Sequence, residues 1–125
     1  MRTAAQDSGD AAEAMVAVRL EARGWRVLGR QVHVGRAEID LLAIDPGPPP
    51  ALVVVEVRWR ARRDFGLAEE TVDSRKRARL RRAAFALRDL GALPDGTPLP
   101  ALPIRFDLVV AEPGGRLRHH RYGAS

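Results

Sequence analysis

The chain of 125 residues has no cysteine and a single lysine. Without cysteine there is no disulfide framework, no thiol nucleophile and no thiolate metal site, which suits a reducing compartment. No run of eighteen apolar residues occurs, and the opening MRTAAQDSGD lacks the apolar core of a signal peptide. The expectation is therefore a soluble, cytoplasmic protein with no membrane partner. A glycine-rich phosphate loop of the Walker type and internal repeats are also absent.

What the chain has instead is arginine. Of its 21 basic residues all but Lys76 are Arg, the net charge is +5 and the pI is near 11.1. That balance favours a polyanionic partner. Ten of the basic residues fall in two runs: Arg58, Arg60, Arg62 and Arg63, then Arg75, Lys76, Arg77, Arg79, Arg81 and Arg82. A solvated face in an arginine-rich chain would look the same. The position of both runs directly after a pair of carboxylates weighs toward nucleic acid.

Those carboxylates lie in two apolar runs, Ala37 to Ile44 and Leu52 to Trp59, separated by Pro46, Gly47, Pro48, Pro49 and Pro50. The runs read as two strands of a hairpin with a loose loop. If the turn centres on Pro48, Asp40 and Glu56 are each eight residues from it and face one another. Opposed side chains in an antiparallel pair sit about 4.5–5.5 Å apart at Cβ, so like charges there repel. A divalent cation would remove that penalty. Glu56 and Arg58, two apart in a strand, share a face, while Val53, Val55 and Val57 take the other. A slip of one residue in register would send Asp40 to the opposite face.

In chain order, residues 1–8 read as a disordered tail and residues 9–125 as one domain, long enough to bury a core. Asp10 and Glu13 have the spacing of a capping box, so a helix is predicted to start near Asp10, with Ala12, Met15, Val16 and Leu20 as its apolar stripe and Gly24 as its stop. Glu13 edges the buried face, and its plain role there is a first-turn carboxylate that suits the helix dipole. Trp25 to Val34 is the first strand. Ala61 to Thr71 reads as a mobile crossing loop. Asp73 or Ser74 then caps a helix reaching about Leu90, buried along Leu80, Ala83, Ala84, Leu87 and Leu90. Lys76, four before Leu80, is in phase with that stripe. Its ammonium is expected either to snorkel to water or to reach over the sheet toward Glu56. Arg105 to Ala111 follows the helical crossover and is predicted parallel to a hairpin strand. Leu117 to Tyr122 closes the sheet as an edge strand with exposed histidines, where the adjacent His119 and His120 point to opposite faces.

An acid on one strand, a second on the next and a base two residues later outline the PD-(D/E)xK nuclease core. The chain resembles the YraN family of small bacterial predicted endonucleases, which are similar to archaeal Holliday junction resolvases. The likeness spans Gly9 to about Val110. Glu13 stands for the family's first-helix Glu, AEIDLLA at Ala37–Ala43 for GEIDLIA, and Glu56-Val57-Arg58-Trp59-Arg60 for EVK-x-R. It continues through Phe65-Gly66, Ala68-Glu69-Glu70, Val72, Lys76, Arg79-Leu80 and Ala83-Ala84 to Arg105-Phe106-Asp107. The resemblance implies an α/β, restriction-endonuclease-like αβββαβ core, with a central mixed sheet flanked by helices. It implies Mg²⁺ or Mn²⁺ held by Asp40, Glu56 and the Val57 carbonyl, with Glu13 as an auxiliary carboxylate. Arg58 stands where the motif has Lys; it keeps the charge but cannot take a proton.

The leading expectation is a metal-dependent endonuclease acting on DNA, in particular branched DNA, with Asp40, Glu56, Arg58 and Glu13 catalytic. Arg60, Arg62, Arg63, Arg75, Lys76, Arg79 and Arg82 would bind the nucleic acid, and a homodimer is one assembly this admits. Two rivals stay open: a catalytically silent nucleic-acid-binding module of the same fold, and a salt-bridge cluster of Asp40 and Glu56 with Arg58 and Arg60.

Overall fold

A computed structural model describes residues 4–60 and 74–124. In order, the elements are α1 (Ala4–Ala22), β1 (Arg26–Val34), β2 (Ala37–Asp45), β3 (Ala51–Trp59), α2 (Ser74–Leu90), β4 (Ile104–Glu112) and β5 (Arg116–Ala124). The five strands form one mixed sheet in the order β1-β2-β3-β4-β5. Only β3 and β4 are parallel, as a helical crossover requires. The αβββαβ order expected from the sequence is present, with β5 added at the edge. No helix of the described residues is long and apolar enough to cross a membrane.

The helices cover opposite faces. Val16, Ala17 and Leu20 of α1 pack with Trp25, Leu41, Ala43, Val53, Val55 and Val109. Leu80, Ala83, Ala84 and Leu87 of α2 pack with Ile39, Leu42, Leu52, Val54, Ile104 and Phe106. These clusters split β3 by parity, as a strand buried on both faces must be. In β2 the alternation breaks at one residue: Ile39 joins the α2 core and Leu41 the α1 core. The residue between them is Asp40.

One boundary differs from the expectation. α1 starts at Ala4, six residues before Asp10, so residues 4–8 continue the helix where a tail was expected. Asp10 and Glu13 consequently sit inside the helix, and Glu13 is no first-turn carboxylate. Asp10 Oδ1 instead accepts from Gln31 Nε2 at 2.7 Å, tying α1 to β1. The far end of the helix is as read. Gly24 has φ +89°, its N–H donates to the Glu21 carbonyl, and the Trp25 N–H donates to the Leu20 carbonyl. That is a Schellman closure, which needs the left-handed residue that glycine supplies without strain.

Candidate active site

The β2–β3 pairing keeps one register from Asp45↔Ala51 to Leu41↔Val55, which is the register of a turn centred on Pro48. Asp45 helps to set the loop, since its Oδ1 accepts the Gly47 N–H at 2.9 Å. The regular ladder stops at Leu41↔Val55, one residue before Asp40 and Glu56. There the two strands part, and the Val57 N–H donates to Asp40 Oδ2 at 2.9 Å. The break in β2 alternation and the end of the ladder thus coincide at Asp40.

Glu56 is 7% exposed and meets two cations with a single oxygen. Lys76 Nζ from α2 contacts Glu56 Oε1, so the lysine reaches over the sheet rather than pointing to bulk water. Arg58 Nε lies 3.6 Å from the same oxygen, and among the described residues it makes no hydrogen bond. Lys76 thus joins Arg58 at Glu56, in addition to the Arg58 and Arg60 named in the salt-bridge alternative.

Asp40 is in a harder position. Burial, the Glu56 charge and the Glu13 charge push its carboxyl up to about 8, against the opposing pull of the Val57 N–H. Burial and the adjacent Glu56 charge thus favour the neutral form of the Asp40 carboxyl. Glu13, 8% exposed, is also raised by burial, while a hydrogen bond from Gln31 and the charge of Arg30 partly offset this and Glu38 and Glu56 add to it. Glu13 Oε1 is buried without a hydrogen-bond partner among the described residues. Gln31, which no sequence argument singled out, holds Asp10 and Glu13 from a backbone at φ +50°. That conformation is uncommon for a residue with a side chain and marks a local irregularity inside β1.

Three carboxylates from α1, β2 and β3 therefore share one neighbourhood with too little positive charge to ionise fully. In kind, this all-oxygen donor set suits a hard divalent cation. As they stand, the described side chains form no ready cage of three or more His, Asp or Glu ligands. The strain has a measurable consequence. A carboxyl whose folded pKa lies above its unfolded value takes up protons on folding, so stability falls as pH rises from about 4 to 8. Asp40→Asn, in chelator, should stabilise the chain by on the order of 2–4 kcal/mol at pH 9, the gain shrinking toward zero at pH 4. Urea melts across that range check it, and a gain independent of pH would count against the buried proton.

The basic residues divide. On α2, Arg77 stacks 4.8 Å from the Tyr122 ring centre, Arg81 lies 5.8 Å over Phe106, and Arg88 lies 4.7 Å over Phe85 and donates to the Leu102 carbonyl. Arg75, Arg79 and Arg82 are exposed and, spaced four and three apart, form one stripe. Arg60 is half-buried, and its N–H donates to the Ala111 carbonyl. Arg62, Arg63 and the crossing loop at 61–71 lie outside the described residues.

A second charged cluster went unread in the sequence. On the α1 face, Asp107 accepts from Arg105 Nε and Nη2, both at 2.9 Å, and contacts His119 Nε2 at 2.7 Å. Arg105 also bridges to Asp45 at 2.9 Å, and Arg105 and His119 both lie against Trp25. His119 is thus not the exposed histidine expected of an edge strand, because Trp25 covers it and a buried carboxylate binds it. The signal was present as Arg105-x-Asp107, two charges on one face of an otherwise apolar strand.

By fold and site this is a mixed-sheet α/β protein with an acidic cluster at the parting of its central hairpin, set beside a basic helix. The family model described as "Uncharacterised protein family UPF0102" matches residues 12–111, and the chain belongs to that family, the YraN family its motifs resemble. A UPF0102 protein of Symbiobacterium thermophilum is 42% identical over 113 residues, covering 88% of this chain and 87% of the relative. One from Roseiflexus castenholzii is 41% identical over 108 residues, covering 86% and 81%. A third, from Xanthomonas euvesicatoria, is 42% identical over 111 residues, covering 89% and 84%.

Proposed function

We propose that the protein is a metal-dependent endonuclease that hydrolyses phosphodiesters in DNA, with branched DNA as its substrate and the cytoplasm as its place of action. The observation that carries this reading is the meeting of Asp40, Glu56 and Lys76. Two opposed carboxylates, one of them kept neutral, are short of a cation, and a helix lysine stands where the motif's lysine function is needed. Asp40, Glu56 and the Val57 carbonyl would hold Mg²⁺ or Mn²⁺. Once bound, the ion supplies Lewis-acid stabilisation of charge on the phosphate and a more acidic water.

The remaining work falls to the chain's own groups. Lys76 Nζ donates to the attacking water or to a non-bridging phosphate oxygen, a role for which a compact amine is suited. Arg58 donates to the phosphate and stays charged throughout. Glu13, with one free lone-pair direction at Oε1, orients the water. Arg60 and the stripe of Arg75, Arg79 and Arg82 neutralise flanking phosphates, so affinity falls steeply with salt.

Incubation of the pure protein with branched, flapped and duplex DNA in Mn²⁺ tests this. Cleavage is expected on branched DNA and is expected to vanish in Asp40→Ala; cleavage that survives in that variant would sink the assignment. One observation favours a second reading, the silent binding module: Arg58 replaces the motif lysine, and Lys76 is engaged with Glu56. Under that reading no metal supports cleavage, and Arg58→Lys restores it. Calorimetry with Mn²⁺ separates both from a plain salt-bridge cluster, which takes up no metal.

A further inference from the structure

Beside the acidic site lies a cleft of about 250 Å³ that the reading above leaves unused, lined by Ala11, Ala12 and Met15 of α1, by Trp59 and Glu112, and by Gly115 of the β4–β5 turn. We propose that this cleft binds one unpaired nucleobase of the nucleic acid by stacking it on Trp59. The proposal rests on the nucleic-acid reading, and it adds what that reading lacks, a structural reason to prefer DNA with unstacked bases.

Trp59 is 43% exposed, an unusual position for a tryptophan at the end of a strand whose apolar residues from Ala51 to Val55 are buried. It follows Glu56 by three residues, so its Cα lies about 10 Å along the strand from the carboxylate. By the pleat, Glu56 and Trp59 point to opposite sides of β3. β3 stays paired with β4 through Trp59↔Ala111, so a nucleic-acid strand that meets both has to pass around the end of the strand. The α1 wall is continuous with the acidic site as well, since Ala12 lines the cleft and Glu13 is the next residue. Arg58 shares the face of Glu56 and so points away from the Trp59 ring, leaving cation and aromatic surface on opposite sides of the strand. That arrangement suits a nucleic-acid strand rounding the end, its backbone neutralised on one side while a base stacks on the other.

The cleft also has one polar group of the right kind. Glu112 lines the cleft and is 5% exposed; its Oε1 is buried without a hydrogen bond among the described residues and lies 3.4 Å from Arg118 Nε. A carboxylate oxygen accepts from an exocyclic amine, such as that of cytosine or adenine, whereas thymine has no exocyclic amine and offers only an N3–H flanked by two carbonyl oxygens that repel the carboxylate. Gly114 and Gly115, both at positive φ, contribute bare backbone, and Arg19 Nη2 ties the turn to α1 through the Gly115 carbonyl at 3.1 Å. A flat ring therefore finds an aromatic face, apolar walls and one acceptor. A base inside a duplex cannot reach this cleft without leaving its stack, which costs a few kcal/mol.

Binding measured without turnover, in chelator and low salt, tests the proposal with four probes: a blunt duplex, the same duplex with a single-base adenine bulge, one with a thymine bulge, and a short adenine single strand. The parent is expected to bind the adenine bulge and single strand more tightly than the duplex, and to quench Trp fluorescence on doing so. Trp59→Ala should weaken those two by about tenfold and leave the duplex unchanged, while Trp59→Phe retains most of the affinity. Glu112→Gln should narrow the gap between adenine and thymine. Equal losses on all probes, or none, overturn the proposal, as does absence of binding to every probe. Cleavage by the parent together with a bulge preference that Trp59→Ala leaves unchanged would leave the nuclease reading standing and remove this one. Trp59-dependent binding without cleavage in any metal would do the reverse.

Discussion

Asp107→Ala should bring the chain to the edge of unfolding. The Asp107 side chain is fully buried, and Arg105 is only 11% exposed. Deleting the carboxylate leaves Arg105 with Asp45 as its remaining close acid and strips His119 of its partner. Breaking a buried pair from one side costs about 3–5 kcal/mol, a large part of the roughly 5–15 kcal/mol that holds a domain together. The melting temperature should fall by about 10–20 °C. Asp107→Asn should lose nearly as much, since it keeps the volume and removes the charge. A loss under about 1 kcal/mol in urea titration would show the network to be idle.

The same network has an acid limit. Burial raises the Asp107 carboxyl, but the hydrogen bonds from His119 and Arg105 and their charges outweigh it and hold the group below its ordinary range. With a depressed folded pKa, the stabilisation is complete above the unfolded value near 4 and is lost as pH falls through the folded one. The parent should therefore lose stability below pH 4 faster than Asp107→Asn does.

Glu56→Gln is expected to have the largest effect on activity. The amide keeps the shape yet cannot supply a charged oxygen to a divalent ion, and the repulsion that raises Asp40 is relieved. Cleavage of branched DNA should fall by about a thousandfold or more, equivalent to some 4 kcal/mol in the barrier. DNA binding should hold or tighten, because Lys76 and Arg58 are released toward phosphate. Single-turnover rates beside salt-dependent binding curves separate the two effects. A variant keeping more than a tenth of the parent rate would remove Glu56 from the mechanism.

Much of this arrangement is legible before any coordinates. The two apolar runs and their proline-rich spacer define the hairpin, and a turn centred on Pro48 gives the register seen from Asp45↔Ala51 to Leu41↔Val55, which ends one step before Asp40 and Glu56. The phase of Lys76 on the stripe of α2 points it at the sheet. Other features are not local. The start of α1 was misread because Asp10 and Glu13 imitate a cap, whereas Ser8 and Gly9 are poor helix formers that the helix nonetheless includes. The partnership of His119 with Asp107 is a diagonal contact across the β4–β5 pair, with His119 opposite Val109 and Asp107 opposite Arg121, and no residue pattern announces that register. The change of face at Asp40 is hidden for a related reason: every residue from Ile39 to Ala43 except Asp40 is apolar, so periodicity carries no direction there.

Lys76 gives the molecule an unusual chemical address. It is the one ε-amine in the chain, and it sits against Glu56. Reductive methylation with ¹³C-formaldehyde would place a single side-chain resonance in the centre of the candidate site, distinct from that of the α-amine. The surrounding cations are guanidinium groups, which such reagents leave untouched. Occupancy by an ion, approach of a phosphate and protonation of the neighbouring carboxylates would each be read from that one signal, with no residue replaced.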